Sequence, residues 1–78
     1  MKIKIHLYTI LKKYGNGRID QDNALFFPDP LSLNELTAYL KLPEKPGKTF
    51  LVNGTPRSKE YVLKDDDDVK IFAFIGGG

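Results

Sequence analysis

The segment Val69–Ile75 near the end of the chain constrains the fold most strongly. Between Ile71 and Ile75 the side chains are apolar almost without a break, a pattern typical of a strand inside a sheet with both faces at least partly covered. The chain has 78 residues and no cysteine, so it has room for one core, and packing rather than disulfides must hold that core together. The sequence therefore predicts one small domain built around a central C-terminal strand.

The remaining elements follow from local patterns. Residues 2–8 alternate polar and apolar side chains, which predicts a strand with Ile3, Ile5 and Leu7 facing the core. The other predicted elements are a helical turn at 9–14, a strand at 24–27, a helix that starts at Ser32 and ends at Pro43, a strand at 48–53 turned by Asn53-Gly54, and an edge or irregular segment containing Pro56.

The predicted helix begins with a capping box, since Ser32 is followed three residues later by Glu35. Leu33, Leu36 and Leu40 form one apolar stripe. A helix of roughly ten residues is too short to be stable alone, so it must pack against a sheet. The order of elements predicts an α+β, β-grasp (ubiquitin-like) fold, in which one main helix covers one face of a mixed sheet of four to five strands and the first and last strands are central neighbours.

The chain ends in Gly76, Gly77 and Gly78, which divides it into a β-grasp domain at 1–75 and a flexible tail at 76–78. Glycine adds no packing and loses the most entropy on ordering, so the tail does not stabilise the fold. Without Cβ atoms it can thread a channel that any side chain would block. We therefore expect the working group to be the α-carboxylate of Gly78, presented to the active site of another protein.

A second candidate site lies on the sheet face that the helix leaves uncovered. If Val69 and Ile71 face the helix, Phe72 and Phe74 face away from it, and Leu51 on the third strand extends the same patch. An apolar patch rimmed by charge and close to the tail is typical of a docking site. We expect Phe72, Phe74 and Leu51 to contact the partner.

Other classes of function have little support. The formal net charge of +2 is small and the basic residues are scattered, so we expect no nucleic-acid partner. No apolar run approaches the roughly 20 residues of a membrane span, and the alternation starts at Met1 without a signal peptide, so we expect a cytoplasmic protein with no membrane partner. Without cysteine, and with His6 as the single histidine, we expect no metal site. The run Asp65–Asp68 lacks the spacing of a calcium loop and is interpreted as a solvated turn.

Taken together, these motifs resemble the ThiS/MoaD family of ubiquitin-like sulfur carriers. The resemblance covers the lysine-rich first strand, the capped helix, Phe-Leu-Val-Asn-Gly at 50–54, Leu-Lys-Asp-Asp-Asp-Asp-Val at 63–69 and the glycine terminus. Asp66 stands where the family usually has glycine, and Phe74-Ile75 replaces a proline pair. The length and the segment 7–17 look more like the small subunit of molybdopterin synthase than the shorter thiazole-forming carrier.

The resemblance implies that the protein is a carrier and not an enzyme. A ubiquitin-activating-type adenylyltransferase would adenylate the Gly78 carboxylate with ATP and magnesium, which the partner binds, while the carrier itself binds no cofactor. Sulfur would then displace AMP to give a thiocarboxylate, for delivery to the large subunit of a sulfur-accepting synthase. Molybdopterin is the favoured product and thiamine thiazole the next.

Two alternatives stay open. One is a ubiquitin-like modifier whose Gly78 is conjugated to lysines of other proteins; the other is a non-catalytic β-grasp interaction module. The sequence also leaves open the oligomeric state and whether the tail is trimmed before activation.

Overall fold

The computed structural model describes residues 1–15, 19, 22–44 and 47–73. Five strands form one mixed sheet in the order β2-β1-β5-β3-β4. The strands are β1 (Lys2–Leu7), β2 (Ala24–Phe26), β3 (Lys48–Val52), β4 (Thr55–Arg57) and β5 (Asp68–Ala73); a 3₁₀ helix spans Thr9–Gly15 and the helix α1 spans Leu33–Tyr39.

The first and last strands are central neighbours, as the sequence predicts, and they run parallel. Ile5 of β1 pairs with Val69 of β5, and Leu7 pairs with Ile71. On its other side β5 pairs antiparallel with β3, so β5 has a hydrogen-bonded neighbour along both edges. Phe74 and Ile75, which were predicted to continue this strand, lie outside the described residues.

The core lies between the sheet and α1. Leu33, Leu36 and Leu40 are fully buried, as are Ile3 and Ile5, which confirms both predicted apolar faces. The capping box is present: the Ser32 amide donates to Glu35 Oε1 at 2.8 Å and the Glu35 amide donates to Ser32 Oγ at 3.1 Å. The α+β β-grasp prediction is confirmed. Within the described part of the chain, no helix is long and apolar enough to cross a membrane.

The predicted end of the helix at Pro43 is wrong. The helix ends at Tyr39 with Leu40 as its C-cap. Lys41 has φ 57°, and a left-handed residue cannot continue a right-handed helix. The stop is therefore set by the backbone at Lys41, before the restriction that Pro43 imposes is reached.

The edge strand β4 contains Pro56, as predicted for a residue without an amide donor. The turn between β3 and β4 is formed by Asn53 and Gly54, with φ 53° and 83°. Two successive positive φ values are those of a tight hairpin turn, which Asn-Gly favours. The hairpin places the Asn53 side chain next to the start of β5, where Asn53 Oδ1 accepts from the Asp68 amide.

Candidate functional site: the tail end and the outer sheet face

The position of the tail follows from the end of β5. Ala73 pairs with Lys48 at the start of β3, and the parallel strand β1 has its C-terminal end on the same side as that of β5. We call this side, where β1 and β5 end, the tail end of the sheet. Gly76, Gly77 and Gly78 lie outside the described residues, but they are attached five or fewer residues beyond Ala73. The chain therefore reaches Gly78 from the centre of the sheet rather than from an edge strand.

The pairing register defines the sheet face opposite α1, which we call the outer face. Leu51 pairs with Lys70 and Thr49 pairs with Phe72. On β5, Lys70 and Phe72 alternate with the buried inward residues Val69 and Ile71. Leu51 and Phe72 are partly buried. Their orientation is the one that the sequence predicts, whereas Phe74 lies outside the described residues. The docking role of these residues stays a prediction.

Phe72 does not stand alone on the outer face. Its ring stacks on Tyr8 with ring centroids 4.5 Å apart and an interplanar angle of 6°. The Tyr8 amide donates to the Ile71 carbonyl at 3.3 Å. This backbone hydrogen bond, at the end of the parallel pairing of β1 and β5, keeps the Tyr8 and Phe72 rings side by side. An aromatic pair of this kind contributes about 1 kcal/mol beyond its buried area. The sequence analysis does not predict the stack, because the stack depends on the parallel register of β1 and β5.

A second contact on the outer face joins His6 to Asp68. His6 Nε2 lies 3.2 Å from Asp68 Oδ1, and this oxygen is buried without a hydrogen bond of good geometry among the described residues. The His6 side chain is partly buried, with 31% of its surface exposed. The contact links β1 to β5 next to Lys70, which is the register partner of His6.

The interpretation of Asp65–Asp68 as a solvated turn is wrong for Asp67, which is 5% exposed. Asp67 Oδ1 accepts from Asn53 Nδ2 at 2.9 Å and Oδ2 accepts from the Lys64 amide at 2.8 Å. Asn53 Oδ1 in turn accepts from the Asp68 amide at 2.9 Å. These bonds tie the β3–β4 hairpin to the start of β5. Asp66 has φ 69°, which explains how aspartate occupies a position where glycine is usual.

The described residues contain no group of three or more histidine, cysteine, aspartate or glutamate side chains that could hold a metal ion. Three of the four aspartates of the turn have separate side-chain partners instead. Asp65 Oδ1 accepts from the Lys2 amide at 2.7 Å, Asp67 binds Asn53 and Lys64, and Asp68 contacts His6. Their oxygens therefore point to different partners rather than to one centre.

Removal of the Asp67 carboxylate is expected to destabilise the domain strongly. Asp67→Ala leaves Asn53 Nδ2 and the Lys64 amide without their acceptor. Hydrogen bonds to a charged group are each worth about 1.5–3 kcal/mol, so we expect the free energy of unfolding to fall by about 3 kcal/mol. Urea unfolding measures the change. Asp29→Ala, at an exposed aspartate, is the matched control and should change it by less than about 0.5 kcal/mol; equal losses in both variants would contradict the role of Asp67.

Residues 11–78 match the model of the ThiS family. The chain belongs to the ThiS family. This confirms the resemblance drawn from the sequence motifs, and the match continues through the glycine tail to the last residue. ThiS-family proteins are small sulfur carriers that serve cofactor biosynthesis and are not catalysts, and this protein is one of them.

A solved structure supports the fold of this ThiS-family protein. The chain is similar to a thiamine biosynthesis protein from Geobacter metallireducens, whose solution structure superposes with a TM-score of 0.60 at 24% sequence identity. The alignment covers 100% of this chain and 88% of that chain. No curated protein sequence matches the chain significantly.

Proposed function

We propose that this protein carries sulfur as a thiocarboxylate on Gly78. The observation that supports the proposal most directly is the path of the chain: the central strand β5 ends at Ala73 and only five residues, the last three of them glycine, separate it from the terminal carboxylate. A central strand followed by a short, thin tail is suited to presenting one carboxylate within a few residues of a folded body. The ThiS-family match extends over the same residues.

A carboxylate must be activated before sulfur can be attached, because oxide is a poor leaving group. In the proposed reaction a Gly78 oxygen attacks the α-phosphorus of ATP and pyrophosphate leaves, which gives an acyl adenylate. A persulfide sulfur then attacks the carbonyl carbon and AMP leaves with the electron pair of the broken C–O bond. A thiol reduces the resulting S–S bond, and the thiocarboxylate is released on Gly78. Gly76 and Gly77 have no Cβ atoms, so they fit a narrow channel of the partner that leads to its active site. A side chain at either position would collide with the channel wall.

The catalytic groups in this scheme belong to partners. A ubiquitin-activating-type adenylyltransferase binds ATP and magnesium, and the large subunit of a sulfur-accepting synthase takes the sulfur, in the cytoplasm. Leu51, Phe72 and Phe74 form the docking patch for the adenylyltransferase. The stack of Phe72 on Tyr8 supports this role, since it fixes an aromatic anchor at the tail end of the sheet before the partner arrives.

The acceptor of the sulfur is a pterin precursor or a thiazole precursor. The length and the segment 7–17 favour the pterin, whereas the similar solved structure is that of a thiamine biosynthesis protein. Rescue of a strain lacking the molybdopterin synthase small subunit, compared with rescue of one lacking its thiamine sulfur carrier, separates the two.

Intact-mass analysis of the protein recovered from its source organism tests the proposal. We expect a fraction of the molecules to carry one sulfur in place of one terminal oxygen, and alkylation of the thiocarboxylate should shift that fraction alone. A variant that ends at Gly76 is the control and should not show the exchange. Isopeptide-linked adducts of Gly78 with lysines, without any sulfur exchange, would identify a protein modifier instead.

A further inference from the structure

The 3₁₀ helix Thr9–Gly15 lies at the tail end of the sheet. It follows β1 directly and packs on both β1 and β5. The Leu11 amide donates to the Tyr8 carbonyl at 3.1 Å and the Leu11 side chain is fully buried. The 3₁₀ helix is therefore anchored to the core beside the strand that leads to Gly78.

This anchored segment exposes an apolar side chain together with two cations. Ile10 is 47% exposed, although its neighbour Leu11 is completely buried. Lys12 and Lys13 occupy the last turn, and the segment has no acidic residue in its first turn. Lys13 Nζ lies 5.4 Å from the centroid of the Tyr14 ring. A fixed apolar side chain that is flanked by charge and lies next to a proposed interface is typical of an interaction surface.

Charge is separated along β5. The 3₁₀ helix lies at the tail end of β5 and carries Lys12 and Lys13 and no carboxylate, whereas Asp65–Asp68 lie where β5 begins. A six-residue strand is roughly 20 Å long, which is longer than the Debye length of about 8 Å at physiological ionic strength. A partner that approaches the 3₁₀ helix therefore meets two exposed lysines and no carboxylate from this segment.

We infer that the 3₁₀ helix Thr9–Gly15 is a second docking element, in which Ile10 enters an apolar spot and Lys12 and Lys13 pair with carboxylates on the rim of the channel that receives the tail. The inference rests on the proposed function and specifies its partner surface as acidic. A protein surface fits better than a nucleic acid, because Tyr8 and Phe72 stack on each other and each covers one ring face on which a base would stack.

The test is carrier-dependent exchange of pyrophosphate into ATP by the adenylyltransferase of the source organism. For the double variant Lys12→Glu/Lys13→Glu we expect the KM for the carrier to rise about tenfold at low salt with kcat unchanged, and the effect to shrink as salt screens the charges. Lys59→Glu/Lys64→Glu changes the net charge equally at two exposed lysines outside this surface and should leave KM unchanged. Ile10→Ser should raise KM at every salt concentration.

Equal KM values for the two double variants, with normal exchange by the wild type, would overturn the acidic-rim inference and leave the proposed function intact. If the wild type itself supports no exchange, the proposed function fails and the inference falls with it. Sedimentation of the carrier alone tests whether a second copy of this chain occupies the surface instead. A wild-type dimer that Ile10→Ser converts to a monomer would assign the surface to a second copy and overturn the inference.

Discussion

Removal of Gly77 and Gly78 is expected to abolish carrier activity while the domain stays folded. The truncation moves the terminal carboxylate back by roughly 7 Å, at about 3.5 Å per extended residue. Misplacement of a reacting group by a single ångström can cost about 100-fold in rate. We therefore expect pyrophosphate exchange to fall by at least about 100-fold, as measured at saturating ATP with the adenylyltransferase of the source organism.

The stability of the truncated protein provides the control. Among the residues that the structure describes, the core extends to Ala73 and is untouched by the truncation, so we expect the urea unfolding midpoint not to change. Gly77→Ala is a second, length-matched variant: it keeps the carboxylate at its distance and adds one methyl group, so a reduced rate in this variant would report the width of the channel. Growth of a carrier-deficient strain on the protein ending at Gly76, as fast as on the full chain, would contradict the assignment of Gly78 as the working residue.

Substitution of Phe72 is the second change with a large expected effect. Phe72→Ala removes a ring that is held against Tyr8 on the outer face beside the tail. Aromatic anchors at the centre of an interface commonly contribute about 2 kcal/mol or more, so we expect the Kd for the adenylyltransferase to rise about 30-fold. The domain should also lose stability, by about 1 kcal/mol through the lost stack and by a further amount through the apolar area of the partly buried ring. A binding titration and a urea unfolding curve measure the two effects separately.

Phe26→Ala is the matched control for Phe72→Ala. Phe26 is 69% exposed and pairs with Lys2, at the end of β1 opposite the tail. The same substitution there should leave the Kd unchanged. An unchanged Kd in Phe72→Ala, or an equal increase in both variants, would show that this part of the outer face does not bind the partner.

The central strands show why much of the fold was predictable. The alternation at 2–8 and the apolar run at 71–75 each indicate a strand and its buried face, because side chains alternate across a sheet with a period of two residues. Ser32 and Glu35 specify the start of the helix through two hydrogen bonds between close neighbours in the chain. Each of these signals is local, so the sequence contains it in full.

The end of the helix and the aspartate turn were mispredicted for the opposite reason. The left-handed backbone of Lys41 is not encoded by a residue that prefers it, and Pro43 was the stronger local signal. Asp67 resembles its three neighbouring aspartates in the sequence, but it alone is buried among them because Asn53, 14 residues away, supplies its donor. Consecutive identical residues carry no pattern that separates one role from another.

Sequence by itself determined that this chain ends in a glycine tail behind a central strand, since both features are continuous runs of residues. The tertiary structure decided what surrounds that tail. Tyr8 meets Phe72, and the 3₁₀ helix with Ile10 lies beside β5, only because β1 and β5 pair in parallel and end at the same edge of the sheet. Tyr8 and Phe72 are 64 positions apart in the chain (72 − 8). Only hydrogen bonding between distant strands, not any local preference, sets the register that brings them together.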